Sequence, residues 1–101
     1  MKYKIFIHPL ASEEFLSGIA WYEEQVPGLG NRFLEKTKQK ISQVENHPEY
    51  FGKIHGRFRQ AKVDTFPYCI VFEFFPLKKI IHVVSIFHTK RNPRKKFRRL
   101  K

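Results

Sequence analysis

The sequence predicts an α+β fold in the order β-α-α-β-β-β, a helical hairpin packed on a mostly antiparallel, twisted sheet. Three observations predict it. Two stretches with apolar residues every three or four positions are separated only by PGLG (Pro27 to Gly30). Two nearly unbroken apolar runs, PYCIVFEFF (Pro67 to Phe75) and IIHVVSIFH (Ile80 to His88), are joined by PLKK (Pro76 to Lys79). Short alternating stretches, KYKIFI and FRQAKVD, precede the helices and the apolar runs respectively. Helical periods followed by a run of strand periods are the pattern of helices covering one face of an antiparallel sheet.

The first strand is expected over Lys2 to Ile7, where Tyr3, Ile5 and Ile7 alternate with Lys2, Lys4 and Phe6, and Pro9 ends it. Ser12, followed by Glu13 and Glu14, suits a helix N-cap, because the carboxylates then sit at the positive end of the dipole. Phe15, Ile19, Tyr22 and Val26 lie on one face of that helix, and Leu16, Ala20 and Trp21 widen it. PGLG is a turn, since proline sets one backbone angle and glycine tolerates positive φ. Asn31 suits the cap of a second helix with the stripe Phe33, Leu34, Thr37, Ile41 and Val44, and Lys36, Lys38 and Lys40 on its other face. So short a link predicts an antiparallel helix pair. Asn46 to Gly56, with one proline and two glycines, reads as irregular. Phe58 to Asp64 alternates as a strand. The two apolar runs then read as strands covered on both faces.

A chain of 101 residues with 42% hydrophobic side chains and eleven Phe is expected to form one domain, residues 1–101, with a core of its own. Cys69 is single and lies inside an apolar run, which fits a reducing compartment and a cysteine acting as a small hydrophobe. The opening residues lack the apolar core of a signal peptide, and no run approaches a membrane span. The expected location is cytoplasmic. The five histidines have neither cysteine partners at zinc spacing nor a His-x-x-x-His pair, and PGLG lacks the Lys-Ser/Thr of a phosphate loop. No metal and no cofactor are expected.

Charge is the strongest functional signal. The net value of +11 is one-sided: residues 1–52 carry six basic and seven acidic side chains, residues 53–101 fourteen and two. The chain ends HTKRNPRKKFRRLK, with eight Lys/Arg in fourteen residues and no acid. Such polarity is the footprint of a polyanion or an acidic protein partner. A surface charged only for solubility does not need that asymmetry.

Three blocks, WYEEQVPGLGNRFLEK (Trp21 to Lys36), FPYCIVFEF (Phe66 to Phe74) and HTKRNP (His88 to Pro93), together resemble the RelE/ParE toxin superfamily on its ParE-like, "plasmid stabilisation protein" side. The resemblance spans nearly the whole chain and implies the same β-α-α-β-β-β order. It implies the toxin of a type II toxin–antitoxin pair, bound in a hetero-oligomer by a small cognate antitoxin. The target implied is either translation, through cleavage of messenger RNA in the ribosome, or DNA gyrase. RelE-type ribonucleases commonly place an arginine after the aromatic residue of the middle strand; here Cys69 follows Tyr68. Their paired lysines have no clear match, although Lys53 and Lys62 are near. Arg91 remains in the last block, three residues after His88. The incomplete set favours the ParE-like subgroup.

Cutting RNA without metal requires a base for the 2′-OH, cations for the charge growing on phosphorus, and a proton donor for the leaving oxygen. His88, at a strand end, is the natural titrating group, with an ordinary pKa of about 6.5. Arg59 and Arg91 suit a phosphate, and Tyr68 suits base stacking or proton donation. A bland alternative leaves His88 and Tyr68 as hydrogen-bonding turn residues and both arginines in water. Lys53, Arg57, Lys62, Lys90, Arg94, Lys95, Arg98 and Arg99 would line the basic surface that receives RNA, or an antitoxin laying a helix and an acidic extended segment across it. Phe97 would pin the tail to the sheet. A degenerate, non-toxic member serving as a basic antitoxin- or nucleic-acid-binding module is the competing reading.

Overall fold

The computed structural model describes residues 3–90. Eight elements follow in order: β1 (Lys4–Ile7), α1 (Pro9–Gln25), α2 (Leu29–Asn46), a 3-10 turn (Pro48–Tyr50), β2 (Lys53–His55), β3 (Phe58–Lys62), β4 (Tyr68–Phe75) and β5 (Ile80–His88). They build one five-stranded sheet in the order β1-β5-β4-β3-β2. The helical hairpin carries the chain from one edge of the sheet to the other. An antiparallel meander then returns it to lie beside β1, which pairs parallel with β5.

Both helices start earlier than their expected caps. Pro9 ends β1 and also opens α1, at the position where its missing N–H costs nothing. The cap is His8, whose Nδ1 accepts from the Leu10 N–H at 3.1 Å, and not Ser12. Helix α2 starts at Leu29 and not after Asn31, because Gly28 takes φ +91° and turns the chain directly into it. The side-chain cap comes from the neighbouring helix. Glu23 of α1 accepts from the Gly28 and Gly30 N–H groups at 2.9 and 3.0 Å.

The face α1 buries is Ala11, Gly18 and Tyr22, with Phe15 and Ile19 packed beside it. Leu16 is 64% exposed, and Trp21 and Val26 also face outward. At Gly18 a small residue is required because the helix lies close to its partners there. A Cβ at Gly18 would stand 2.9 Å from both the Phe33 ring and the Tyr68 hydroxyl. On α2, Phe33, Thr37 and Val44 are buried as their spacing predicts.

β2 lies inside the stretch that reads as irregular. Three residues between two glycines are too few to show a period, so only pairing with β3 defines it. In β4 the side chains alternate between two clusters. Tyr68, Ile70, Phe72 and Phe74 join the main core under the helices. Cys69 and Val71 join Val84 and Phe87 on the opposite face, flanked by Ile54 and Phe58. Cys69 is 5% exposed, as a small hydrophobe would be. The register of β4 and β5 slips by one between Val71 and Phe72, leaving Val84 as the extra residue of a bulge.

Candidate functional site

Pairing puts Tyr68 opposite His88 at one end of the sheet. The two rings meet edge to face at 5.3 Å, and the His88 Nδ1 accepts from the Lys90 N–H at 3.1 Å. Tyr68 belongs to the core. It is 5% exposed, its ring lies 4.6 Å from Phe33 and 6.1 Å from Tyr22, and its hydroxyl sits beneath Gly18. Even-numbered positions of β4 face the helices, so a tyrosine here turns its ring inward and offers no open face to a nucleobase.

Arg59 stands elsewhere. It pairs with Phe72, four positions along β4 from Tyr68, a separation of about 13 Å. Its Nη1 donates to the carbonyls of Phe51 at 2.6 Å and Glu49 at 3.5 Å, clamping the 3-10 turn to the sheet. Arg91, like Arg94, Lys95, Phe97, Arg98 and Arg99, lies outside the described residues. Among the described residues, then, the expected quartet falls into two parts, a Tyr68–His88 pair and a distant, engaged Arg59.

The expected basic surface divides in the same way. Lys62 and Lys90 are exposed near the Tyr68–His88 end, because Lys62 pairs with Cys69, the neighbour of Tyr68. Lys53 is exposed on the edge strand β2. Arg57 precedes β3 and lies at the far end of the meander. Its Nε donates to Glu73 at 2.8 Å, and its guanidinium lies 5.1 Å over the Phe75 ring. The other carboxylate oxygen of Glu73 faces the His82 Nδ1 at 3.3 Å. This row of Arg57, Glu73 and His82 escapes sequence reasoning, since its members come from three segments.

Glu14 escapes it too. Expected only as a carboxylate at the positive end of the α1 dipole, it reaches the sheet, where its Oε1 accepts from the Ser85 hydroxyl at 3.0 Å and the Ile86 N–H at 3.1 Å. β1 pairs with β5 only as far as Val83, so Glu14 takes over where the strand ends. Glu23 also serves as a cap, as described above. A carboxylate that caps a neighbouring element leaves no periodic trace.

Below the β4–β5 turn lies a surface cavity of about 340 Å³ lined by Arg57, Phe74, Phe75, Pro76, Leu77 and Lys78. No group of three His, Cys, Asp or Glu side chains that could hold a metal occurs among the described residues. Among the same residues, no helix is long and apolar enough to cross a membrane.

The same architecture occurs in solved structures. The chromosomal ParDE system from P. aeruginosa aligns with TM-score 0.74 at 11% identity, covering 86% of this chain and 96% of that one. The isolated E. coli RelE toxin aligns with TM-score 0.66 at 20% identity, over 98% of this chain and 99% of that one. In the intact E. coli RelBE toxin–antitoxin complex the values are 0.66 and 22%, over 88% and 99%. At such identities these likenesses speak for the fold. No curated protein sequence matches the chain. The family model for the ParE toxin of the type II toxin–antitoxin system parDE matches residues 5–93, from the first strand through the block ending in Pro93. With that match over most of its length, and the fold to go with it, the chain belongs to the ParE toxin family of type II toxin–antitoxin systems.

Proposed function

We propose that this protein is a growth-inhibiting toxin, neutralised by a small acidic antitoxin, that acts by binding DNA gyrase and not by cutting RNA. The observation that carries the reading is where two expected catalytic side chains are spent. Tyr68 fills the core under α1 and α2, and Arg59 holds two backbone carbonyls. Chemistry on a phosphodiester needs a base, a cation and a donor around one phosphorus atom. Side chains committed to packing do not move there without cost, whereas inhibition by binding needs only a complementary surface. The antitoxin is supported by the family and by the cationic second half of the chain.

Ribosome-dependent cleavage is the second reading, favoured by one feature: His88 sits at a sheet end with the exposed cations Lys62 and Lys90 nearby. Pulse labelling after induction separates the two. A gyrase inhibitor halts DNA synthesis and supercoiling first, a nuclease halts protein synthesis first. On the nuclease reading, Arg91→Ala abolishes most cleavage and His88→Gln alters its pH profile. Normal growth on induction would instead identify a non-toxic binding module.

A further inference from the structure

The β4–β5 turn presents an apolar apex. Pro76 fixes one backbone angle, and the Lys79 N–H closes the turn on the Pro76 carbonyl at 3.2 Å. At its apex, where small polar residues usually stand, is Leu77, fully exposed. A lone exposed leucine is ordinary. This one borders a cavity of about 340 Å³ whose lining adds Phe74, Phe75 and Pro76, with Arg57 and Lys78 as its only charged members.

We propose that this cavity is a socket for a large apolar side chain carried on an acidic segment of the antitoxin, a second contact far from the Tyr68–His88 end. The inference rests on the toxin–antitoxin reading above. The lining holds two cations and no acid, and Glu73, which pairs with Arg57, is also engaged by His82, so the rim is net positive toward a visitor. Holding Arg57 by Glu73 and the Phe75 ring fixes its position, and a guanidinium has five N–H donors, so it can still meet a second carboxylate. Nucleic acid would satisfy the cations but brings no aliphatic group for the socket. A second copy of this chain would set +11 against +11. An acidic segment with an apolar anchor satisfies both parts, and such anchors dominate binding where they fill a pocket. The turn lies about 26 Å from His88 along β5, so a chain seated here leaves that end open.

Labelled twelve-residue peptides test the socket on the full chain: one acidic with a central Leu, one acidic with a central Ser, one with Lys replacing the acids. The acidic Leu peptide is expected to shift the amide resonances of Phe75 to Lys79. Leu77→Ser and Lys78→Glu should each weaken it about tenfold, and both sites are exposed, so the fold survives. Equal binding of the Ser peptide, shifts elsewhere, or displacement by single-stranded RNA of the same length overturns the socket. A neutralisation assay with the cognate antitoxin, co-expressed with the toxin, separates the two claims. If that protein rescues wild type and Leu77→Ser equally, the socket falls and the toxin reading stands. If wild type is harmless, the toxin reading falls, and the socket with it as an antitoxin site.

Discussion

Two glycines and one glutamate hold positions that no other residue fills as well. Gly30 is helical, so its value is not conformational freedom. A Cβ there would stand 2.6 Å from the Ile19 carbonyl oxygen of α1, and backbone cannot move aside as a side-chain tip can. Gly30→Ala should push the helices apart and cost about 1–3 kcal/mol in a urea titration. Gly18→Ala meets ring atoms of Phe33 and Tyr68 instead and is expected to cost less. Glu14→Ala leaves the Ser85 hydroxyl and the Ile86 N–H without their acceptor, a loss of about 1–3 kcal/mol. Glu14→Gln keeps a carbonyl oxygen there and should recover most of it. Equal losses in the two Glu14 variants would mean that the carboxylate acts by charge and not as an acceptor.

Among the elements, the helical hairpin owes its tight link to one positive φ and one cross-helix cap. Gly28→Ala forces a Cβ into the left-handed region at φ +91° and should destabilise by about 1 kcal/mol. Glu23→Ala removes the acceptor of two N–H groups at the start of α2, for a comparable loss. The loop between β3 and β4 carries a strain that sequence does not announce. Thr65, β-branched, sits at φ +66°. Asparagine tolerates that region, so Thr65→Asn should stabilise by about 1 kcal/mol, read as a higher urea midpoint at unchanged slope. A lower midpoint would show that the Thr65 hydroxyl, which donates to the Asp64 carbonyl at 2.6 Å, matters more than the backbone angle.

For the whole molecule, the charge asymmetry makes association with an acidic partner a steered process. Its rate should fall about tenfold between low and physiological salt, while dissociation changes little. Stopped-flow mixing at several salt concentrations checks this. Residues 91–101 carry seven of the twenty Lys/Arg, so their deletion should slow association and flatten its salt dependence. An unchanged association rate would mean that the tail charges take no part in the encounter.

The helices, β4, β5, the PLKK turn and the break at Pro27–Gly28 are legible because each carries a local signal: a period, an apolar run, a proline or a glycine, although Leu29 and Gly30 of PGLG belong to α2. Spacing alone places Phe33, Thr37 and Val44 on the buried face, since the helix fixes which side they share. Tyr68 was legible as an aromatic on a central strand, but its orientation was not. That depends on which face of the sheet the helices cover. Nor was Arg59, whose partners are carbonyls of a 3-10 turn with no sequence signature.

Sequence by itself determined both helices and the strands β1, β3, β4 and β5, their order, the family resemblance and the charge asymmetry, because these reside in single residues and short spacings. Tertiary structure alone decided the parallel pairing of β1, the strand β2, the caps lent by Glu14 and Glu23, and the socket beside Leu77. Each of these joins residues far apart in the chain, and no local pattern encodes a contact whose partner lies across the sheet.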